Sequence, residues 1–401
     1  MFGILLDIIN FSGICFLAPF AYFEGKYCKY TLFMNKMLKN QIIRSGPIPI
    51  KIAQFIINFK NIECYDNKPA YLTVYNDLFN NVYKKNKIDK IKNYTLLNSG
   101  SICAVYLHNT DNTILKKLHY KSIDSLNFYL SLIKYLFYLF SIPLEYNDFK
   151  KIFVNQFSME FESMMHMDFY NNVDNNLINI PKIINNNNTD IIMEYLPSQC
   201  INNTNLSFIK MTKYAQVLSI FFKHMFLDKG LIHIDLHDGN WGIIDDKIVI
   251  YDFGYSLKIF DPNDTVEKKL YEDLLFYFIN EDLKESCNII FSNFTTPVIT
   301  DYSFMIDNNP EFDSDKILST LIQFSIKKQF RLHINIFYLL YATGLQNCRY
   351  KYLFKENNTT FHEKQISKLQ YENAIIYKNQ FYNNVKMYND KNISFIKSIQ
   401  N

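Results

Sequence analysis

Read for the spacing of apolar and polar positions, the chain changes texture twice. From Ile8 to Phe23 it is apolar and uncharged, and residues 26–60 keep a helical spacing, basic at first (Lys26, Lys29, Lys36, Lys39) and apolar after Gly46-Pro47-Ile48-Pro49. Prolines followed by an apolar run predict a turn feeding a helix. Around Asn93 the period shortens to that of strands. Thr95–Leu97, Ile102–Leu107 and Thr113–Leu118 are short β-rich runs separated by polar, glycine- and asparagine-bearing turns, as in antiparallel hairpins. Helical spacing returns over about 122–142 and 151–170, and Pro181–Asn185 with Asp190–Leu196 predicts a strand pair across an Asn-rich turn. Beyond residue 205 helices dominate. Phe208–Asp228 runs to Gly230, a predicted C-cap, and Gly242–Phe253 interrupts with a small hairpin turning at Asp245-Asp246-Lys247. The expected class is α+β: an apolar N-terminal segment (1–25), a helical extension (26–92), a β-rich lobe (93–197) and a helical lobe (198–401).

Composition narrows function more than fold. With 36 Phe and 30 Tyr among 401 residues and 48% hydrophobic positions, the chain can bury real cores and is not a disordered polymer. A net charge of +3 from 42 basic and 39 acidic residues leaves no electrostatic footprint for a nucleic acid, so none is expected as a partner. Cysteines at 15, 28, 64, 103, 200, 287 and 348 are odd in number and never in C-x-x-C spacing. They argue against a disulfide framework or zinc cage and predict buried, reduced thiols in an intracellular compartment. The N-terminal segment contains Asn10 and Pro19 and falls short of the roughly 20 apolar residues of a span. It has no basic lead-in, unlike a secretory signal. A helix packed on the protein is expected, with a membrane-associated segment as the competing reading.

The most specific stretch is His233-Ile234-Asp235-Leu236-His237-Asp238-Gly239-Asn240, followed past the hairpin by Asp252-Phe253-Gly254. An Asp, an Asn five residues on and a second Asp beyond a short hairpin is how protein-kinase-like enzymes place a base and two metal ligands around ATP phosphates. Asn240 and Asp252 offer hard oxygen donors for Mg²⁺, and Asp235 can accept a hydroxyl proton or position the acceptor. His237 reads as a buried structural histidine and His233 as an organiser of the loop. Upstream, Leu97 to Val105 lies where a phosphate-covering loop belongs, with Gly100 and Ser101 at its turn and no other glycine. In Ile114-Leu115-Lys116-Lys117-Leu118, alternation sends Lys116 and Lys117 to opposite faces, so one of them faces the nucleotide. Lys117 is preferred, paired with Glu162 and held against the α- and β-phosphates, and Lys116 is the second nucleotide-binding candidate. Backbone groups of Glu194 and Leu196, at the end of an apolar strand, are expected to meet the adenine edge.

The loop from Gly230 to Asn240 resembles the H-x-D-x-H-x-G-N loop of the UbiB (AarF/ADCK) family of atypical kinases. Ser99 to Val105 resembles that family's Ala-rich replacement for the glycine loop. Gly46-Pro47-Ile48-Pro49-Ile50-Lys51-Ile52-Ala53-Gln54 is similar to its K-x-G-Q signature, Met193-Glu194-Tyr195 to its hinge, and the aromatic stretch from about Phe330 to Tyr350 to its C-terminal helix. The likeness extends over roughly residues 40–350. It implies a protein-kinase-like bilobal fold, β-rich N-lobe before helical C-lobe, whose N-terminal extension brings Lys51 and Gln54 to the nucleotide cleft. It further implies ATP and Mg²⁺ as cofactors, and ATPase or phosphotransfer chemistry on a small-molecule or lipid acceptor rather than a protein, linked to isoprenoid-quinone metabolism at membranes. Ala53, Asp238 and the lone Gly100 depart from the family pattern. Two other readings compete: an aminoglycoside- or choline-type phosphotransferase, which does not account for residues 46–55, and a nucleotide-binding pseudokinase scaffold.

Overall fold

The computed structural model describes residues 2–27, 32–63, 69–79, 91–119, 126–139, 141–173, 177–199, 208–236, 239–279, 282–309 and 314–355. Three helices open the chain, α1 (Phe2–Tyr27), α2 (Phe33–Ser45) and α3 (Pro47–Glu63), before strands β1 (Tyr94–Ser99), β2 (Cys103–His108) and β3 (Thr113–Leu118). Helices α4 (Leu126–Leu139), α5 (Tyr146–Asn155) and α6 (Met159–Asn172) precede β4 (Ile178–Asn179), β5 (Ile183–Asn186) and β6 (Asp190–Glu194). Then come α7 (Phe208–Lys229), β7 (Leu231–His233), β8 (Trp241–Ile244), β9 (Lys247–Ile250) and β10 (Ser256–Lys258). Among the remaining elements are α8 (Thr265–Ile279), α9 (Leu283–Asn293), β11 (Thr295–Thr296), α10 (Ser314–Lys328), β12 (Arg331–Leu332) and α11 (Ile334–Lys355).

These group into two compact units, one of Met1–Ile142, Phe153–Met164 and Pro181–Leu196, the other of Pro143–Ile152, Met165–Ile180 and Pro197–Asn401. The first contains a five-stranded antiparallel sheet in the order β1-β2-β3-β6-β5. Val105 lies opposite Lys116 and Ala104 opposite Lys117, so the pleat sorts the two lysines onto different faces. Ala104, Tyr106 and Leu115 form a core on the Lys117 face, with Leu96 and Ile192 packed against it.

The helical extension belongs to the same unit. Gly46 ends α2 with φ of 99° and Pro47 begins α3, so the tight joint falls where the sequence predicted it. Ile42, Ile50, Ala53, Ile57, Tyr75 and Leu78 form its core. Helices α1 and α2 run antiparallel and are fastened at their shared end by Glu24, whose carboxylate accepts both the backbone and side-chain N–H of Asn35 at 2.9 Å. Tyr75 donates to Asn35 Oδ1 at 3.0 Å. Burial pushes the Glu24 carboxyl up, but the N–H donors of Asn35, Met34 and Phe33 outweigh it and hold its pKa below the usual carboxylate value. Leu32 offers no capping side chain, so Glu24 serves as the cap from another helix.

The second unit is mainly helical, with small sheets β4-β9-β8, β7-β10 and β11-β12. Its core is aromatic: Phe226, Phe253, Tyr271, Phe291, Phe324 and Phe330 are almost fully buried. The β8–β9 hairpin turns on Asp245 and Asp246, both at positive φ, the two-residue geometry whose twist suits paired strands. Two of the expected helices need correcting. The helix expected over 151–170 is two helices, because Ser158 Oγ accepts from the Phe161 N–H (3.1 Å) and starts α6 afresh. The C-terminal aromatic helix starts at Ile334 rather than Phe330, since Arg331 and Leu332 pair with Thr295 and Thr296 as β11–β12. Among the described thiols, Cys103 and Cys287 are buried as expected, but Cys15 is exposed.

Gly230 has φ of +66°, and a Cβ built there would stand 2.3 Å from the Phe260 carbonyl oxygen. Gly230→Ala is expected to destabilise the protein by about 3 kcal/mol or more, read as a lowered midpoint in chemical denaturation.

Candidate active site

In the first unit the site is built on β3 and the start of α6. Lys116 Nζ donates to Glu162 Oε1 at 2.6 Å, and the two side chains are only 9% and 3% exposed. Lys116 therefore occupies the position expected of Lys117, a correction that the register explains. Lys116 shares its face with Ile114 and Leu118 and lies opposite Val105 and Ile191, whereas Lys117 lies opposite Ala104 and Asp190 on the other face. Glu162 reaches this spot because Ser158 restarts the helix: the Glu162 N–H bonds the Ser158 carbonyl at 3.0 Å, which places the carboxylate in the first turn. Sequence reasoning missed Ser158 as the element that aims Glu162, although Ser three residues before Phe161 is an ordinary start signal.

The β1–β2 turn is closed by Gly100 N–H donating to Cys103 O at 2.9 Å, and His119 Nε2 lies 3.3 Å from the Gly100 carbonyl. A Cβ on Gly100 would meet Cys103 O at 3.5 Å, an ordinary contact, so space alone does not demand glycine there. Ser101, buried, donates to Gln54 Oε1 at 3.4 Å, and Gln54 Nε2 donates to Leu78 O at 2.5 Å. Gln54 of α3 thus touches the loop, with Lys51 one turn earlier on the same helix. Glu194 closes β6 with its N–H on Lys182 O (2.9 Å), and Leu196 follows two residues on.

In the second unit, β7 leads into Asp235 and β10 follows Asp252-Phe253-Gly254. Their pairing, His233 opposite Ser256, lays the two loops side by side, and the Ile234 N–H bonds Tyr255 O at 2.9 Å. Asn240 Nδ2 donates to Asp235 O at 2.8 Å, and the Tyr251 N–H donates to Asn240 O at 2.8 Å. That bond fixes the amide of Asn240 so that Oδ1 points away from Asp235 O and can serve as an oxygen ligand. Asp252 adopts a left-handed conformation, φ 56° and ψ 75°, and its carboxylate accepts the Gly254 N–H at 3.4 Å. Few residue types other than glycine enter this left-handed region, and Asp is among those that do. Beneath it, Phe253 is enclosed by the rings of His166 (4.8 Å), Phe169 (4.9 Å) and His233 (5.3 Å). His233, whose Nε2 lies 3.3 Å from Tyr251 O, is thus the loop organiser expected of it. His237 and Asp238 lie outside the described residues.

Tyr255, missed in the sequence although it directly follows Asp-Phe-Gly, packs edge-on against Tyr338 at 5.8 Å. Burial drives its phenol pKa well above the ordinary value, and Tyr338, Tyr341 and the charge of Asp235 add to the shift. It is a buried, neutral floor to the Asp235 loop. Asn240 and Asp252 fit a hard divalent cation, which takes oxygen donors and completes its shell with phosphate and water. Among the described residues no group of three or more His, Cys, Asp or Glu forms a separate metal cluster.

Residues 104–290 match the family described as the ABC1 atypical kinase-like domain. The stretch includes Lys116, Glu162, Glu194, Asp235, Asn240 and Asp252 and begins after Gly100 and Ser101. That stretch is thus similar to a kinase-like domain, and the α+β architecture is kinase-like. No curated protein matches the sequence significantly. Among solved structures, the Rv3197–erythromycin complex from Mycobacterium tuberculosis is similar at 14% sequence identity and a TM-score of 0.42, over 65% of this chain and 71% of that one. A likeness of that degree carries no argument about function.

Proposed function

We propose that the chain is an ATP- and Mg²⁺-dependent atypical kinase or ATPase of the UbiB type, acting on a small-molecule or lipid acceptor rather than a protein. The observation that carries this reading is the buried Lys116–Glu162 pair. Taking two charges out of water costs several kcal/mol per ion, and an apolar pair would pack there at least as stably. A lysine fixed in this way suits binding of the α- and β-phosphates. Bound Mg²⁺ supplies neutralisation of the charge that develops on the transferring phosphoryl group. Asn240 Oδ1 and the Asp252 carboxylate hold the cation, Asp235 orients or deprotonates the acceptor hydroxyl or a water, and Ser101 lines the phosphate loop. Glu194 and Leu196 offer backbone groups to the adenine. The Gln54–Ser101 contact favours the UbiB type over a choline-type phosphotransferase, because it gives residues 46–55 a part in the nucleotide loop.

The test is Mg²⁺-dependent ATP hydrolysis by the purified full-length protein beside Asp235→Asn. Turnover is expected that requires Mg²⁺ and falls at least about 100-fold in the variant. Calorimetric binding of Mg-ATP without turnover would leave a scaffold, and neither binding nor turnover would end the nucleotide reading.

A further inference from the structure

The last turn of α6 is fastened by a histidine of α7. Asn172 closes α6, so its carbonyl is one of the four that find no partner within the helix, and His224 Nε2 meets it at 3.2 Å. The other ring nitrogen, Nδ1, lies 2.9 Å from Asp228 Oδ2, one turn further along α7. Both neighbours are acceptors with no proton to give. A neutral imidazole carries one N–H and would turn a lone pair toward one of these oxygens, whereas imidazolium offers a proton to each. Positive charge is also favoured at a helix C-terminus, where aligned carbonyls leave a partial negative charge.

The groups around the ring act in the same sense. On α7 the Asp228 carboxylate raises the His224 pKa above the ordinary histidine value against burial and Lys229, and the Asn172 carbonyl of α6 adds to the rise. Burial pushes the Asp228 carboxyl up, but His224, Lys268 of α8 and Lys229 outweigh it and keep it ionised. Glu272 of α8, buried 3.9 Å from Lys268 Nζ, also faces Asp228. Because the His224 pKa is raised in the folded chain, the clasp is whole below the ordinary histidine value and is lost as pH climbs through the raised one.

What the clasp holds adjoins the chemistry. His166 and Phe169, on the last two turns of α6, form two walls of the cage around Phe253, which directly follows Asp252. We infer that protonated His224 is a positioning residue for the cation site: it clasps the end of α6, α6 seats Phe253, and the seated ring sets the turn that presents Asp252. The inference rests on the proposed role of Asp252 in holding Mg²⁺, but the clasp itself is measured without nucleotide.

Amide hydrogen exchange of the full-length, nucleotide-free protein at about pH 6 and about pH 9, each rate divided by that of an unstructured chain at the same pH, tests it. Protection of residues 165–172 and 253–256 is expected to be about tenfold lower at the higher pH. His224→Gln can still donate to the Asn172 carbonyl but carries no charge, and should be weakly protected at both values. His224→Lys is charged throughout and should be well protected at both. Burial pushes the Glu272 pKa up to about 7, so it ionises over the same range, and Glu272→Gln should keep the native dependence. In turnover assays the Mg²⁺ concentration for half-maximal rate should rise across this pH step in the native protein and stay level in both His224 variants. The rise should not exceed about tenfold, since the effect on the site cannot be larger than the strength of the clasp. Native protection that ignores pH, a His224→Gln variant that keeps the native dependence, or a loss confined to the end of α6 with the Phe253 turn untouched would each overturn the inference. Absence of turnover in the native protein would instead end the ATP reading, and exchange at the Phe253 turn would still decide whether His224 positions it.

Discussion

Lys116→Ala is expected to lower Mg²⁺-dependent ATP turnover by about 100- to 1,000-fold, the range for loss of one preorganised electrostatic contact to a developing charge. Lys117→Ala should stay within about threefold of the parent, since a side chain on the opposite face of β3 meets no phosphate there. Loss of turnover alone would not separate chemistry from folding, because removing Lys116 strands Glu162 in the interior. An uncompensated buried charge costs about 3–5 kcal/mol, so Lys116→Ala and Glu162→Ala should both also unfold at lower denaturant. The double variant Lys116→Met/Glu162→Met resolves the two effects. An apolar pair of similar volume restores stability to about that of the parent while leaving phosphate binding unsupported. A stable, inactive double variant is the expected result. A stable double variant that retains turnover, or a Lys117→Ala that loses it, would return the phosphate role to the other face.

The ambiguity between the two lysines shows where sequence pattern stops. Alternation along Ile114–Leu118 established that the lysines part company, and the structure agrees. Which of them turns inward depends on register against β2 and β6, a non-local property that the strand does not carry in itself. Local signals fared better. The Gly46-Pro47 joint, the Gly230 cap and the Asp245-Asp246 turn each reflect a backbone conformation that few residues allow, so they were legible from residue type. Asp235, Asn240 and Asp252 could be singled out as candidates because few side chains suit metal and proton chemistry, and the structure brings Asn240 to the Asp235 carbonyl. The parts that aim this chemistry were not legible: the Ser158 restart of α6, the enclosure of Phe253 and the floor made by Tyr255 all depend on packing between segments distant in sequence. The same holds for α1. Its apolar residues lie on every side, and only the positions of Gln41, Asn35 and Tyr71 decide which side is covered and which faces out.

Asp252→Asn is expected to reduce affinity for Mg-ATP by about 10- to 100-fold, seen as a rightward shift of the Mg²⁺ titration, while affinity for ATP without the cation stays nearly level. Asparagine makes this a clean experiment. Asp252 sits at φ 56°, a conformation that asparagine enters as readily as aspartate and that alanine resists. The variant keeps an oxygen that can accept the Gly254 N–H and should preserve the fold to within about 1 kcal/mol, so the loss reports the missing charge. Asp252→Ala would add backbone strain of about 1–2 kcal/mol to the same loss and would loosen the turn that seats Phe253 between His166, Phe169 and His233. If Asn at 252 left the Mg²⁺ titration unchanged, the cation would be held by other oxygen donors. The left-handed turn would then serve to seat Phe253, and the catalytic reading of the Asp-Phe-Gly segment would fail while the Lys116–Glu162 prediction stood.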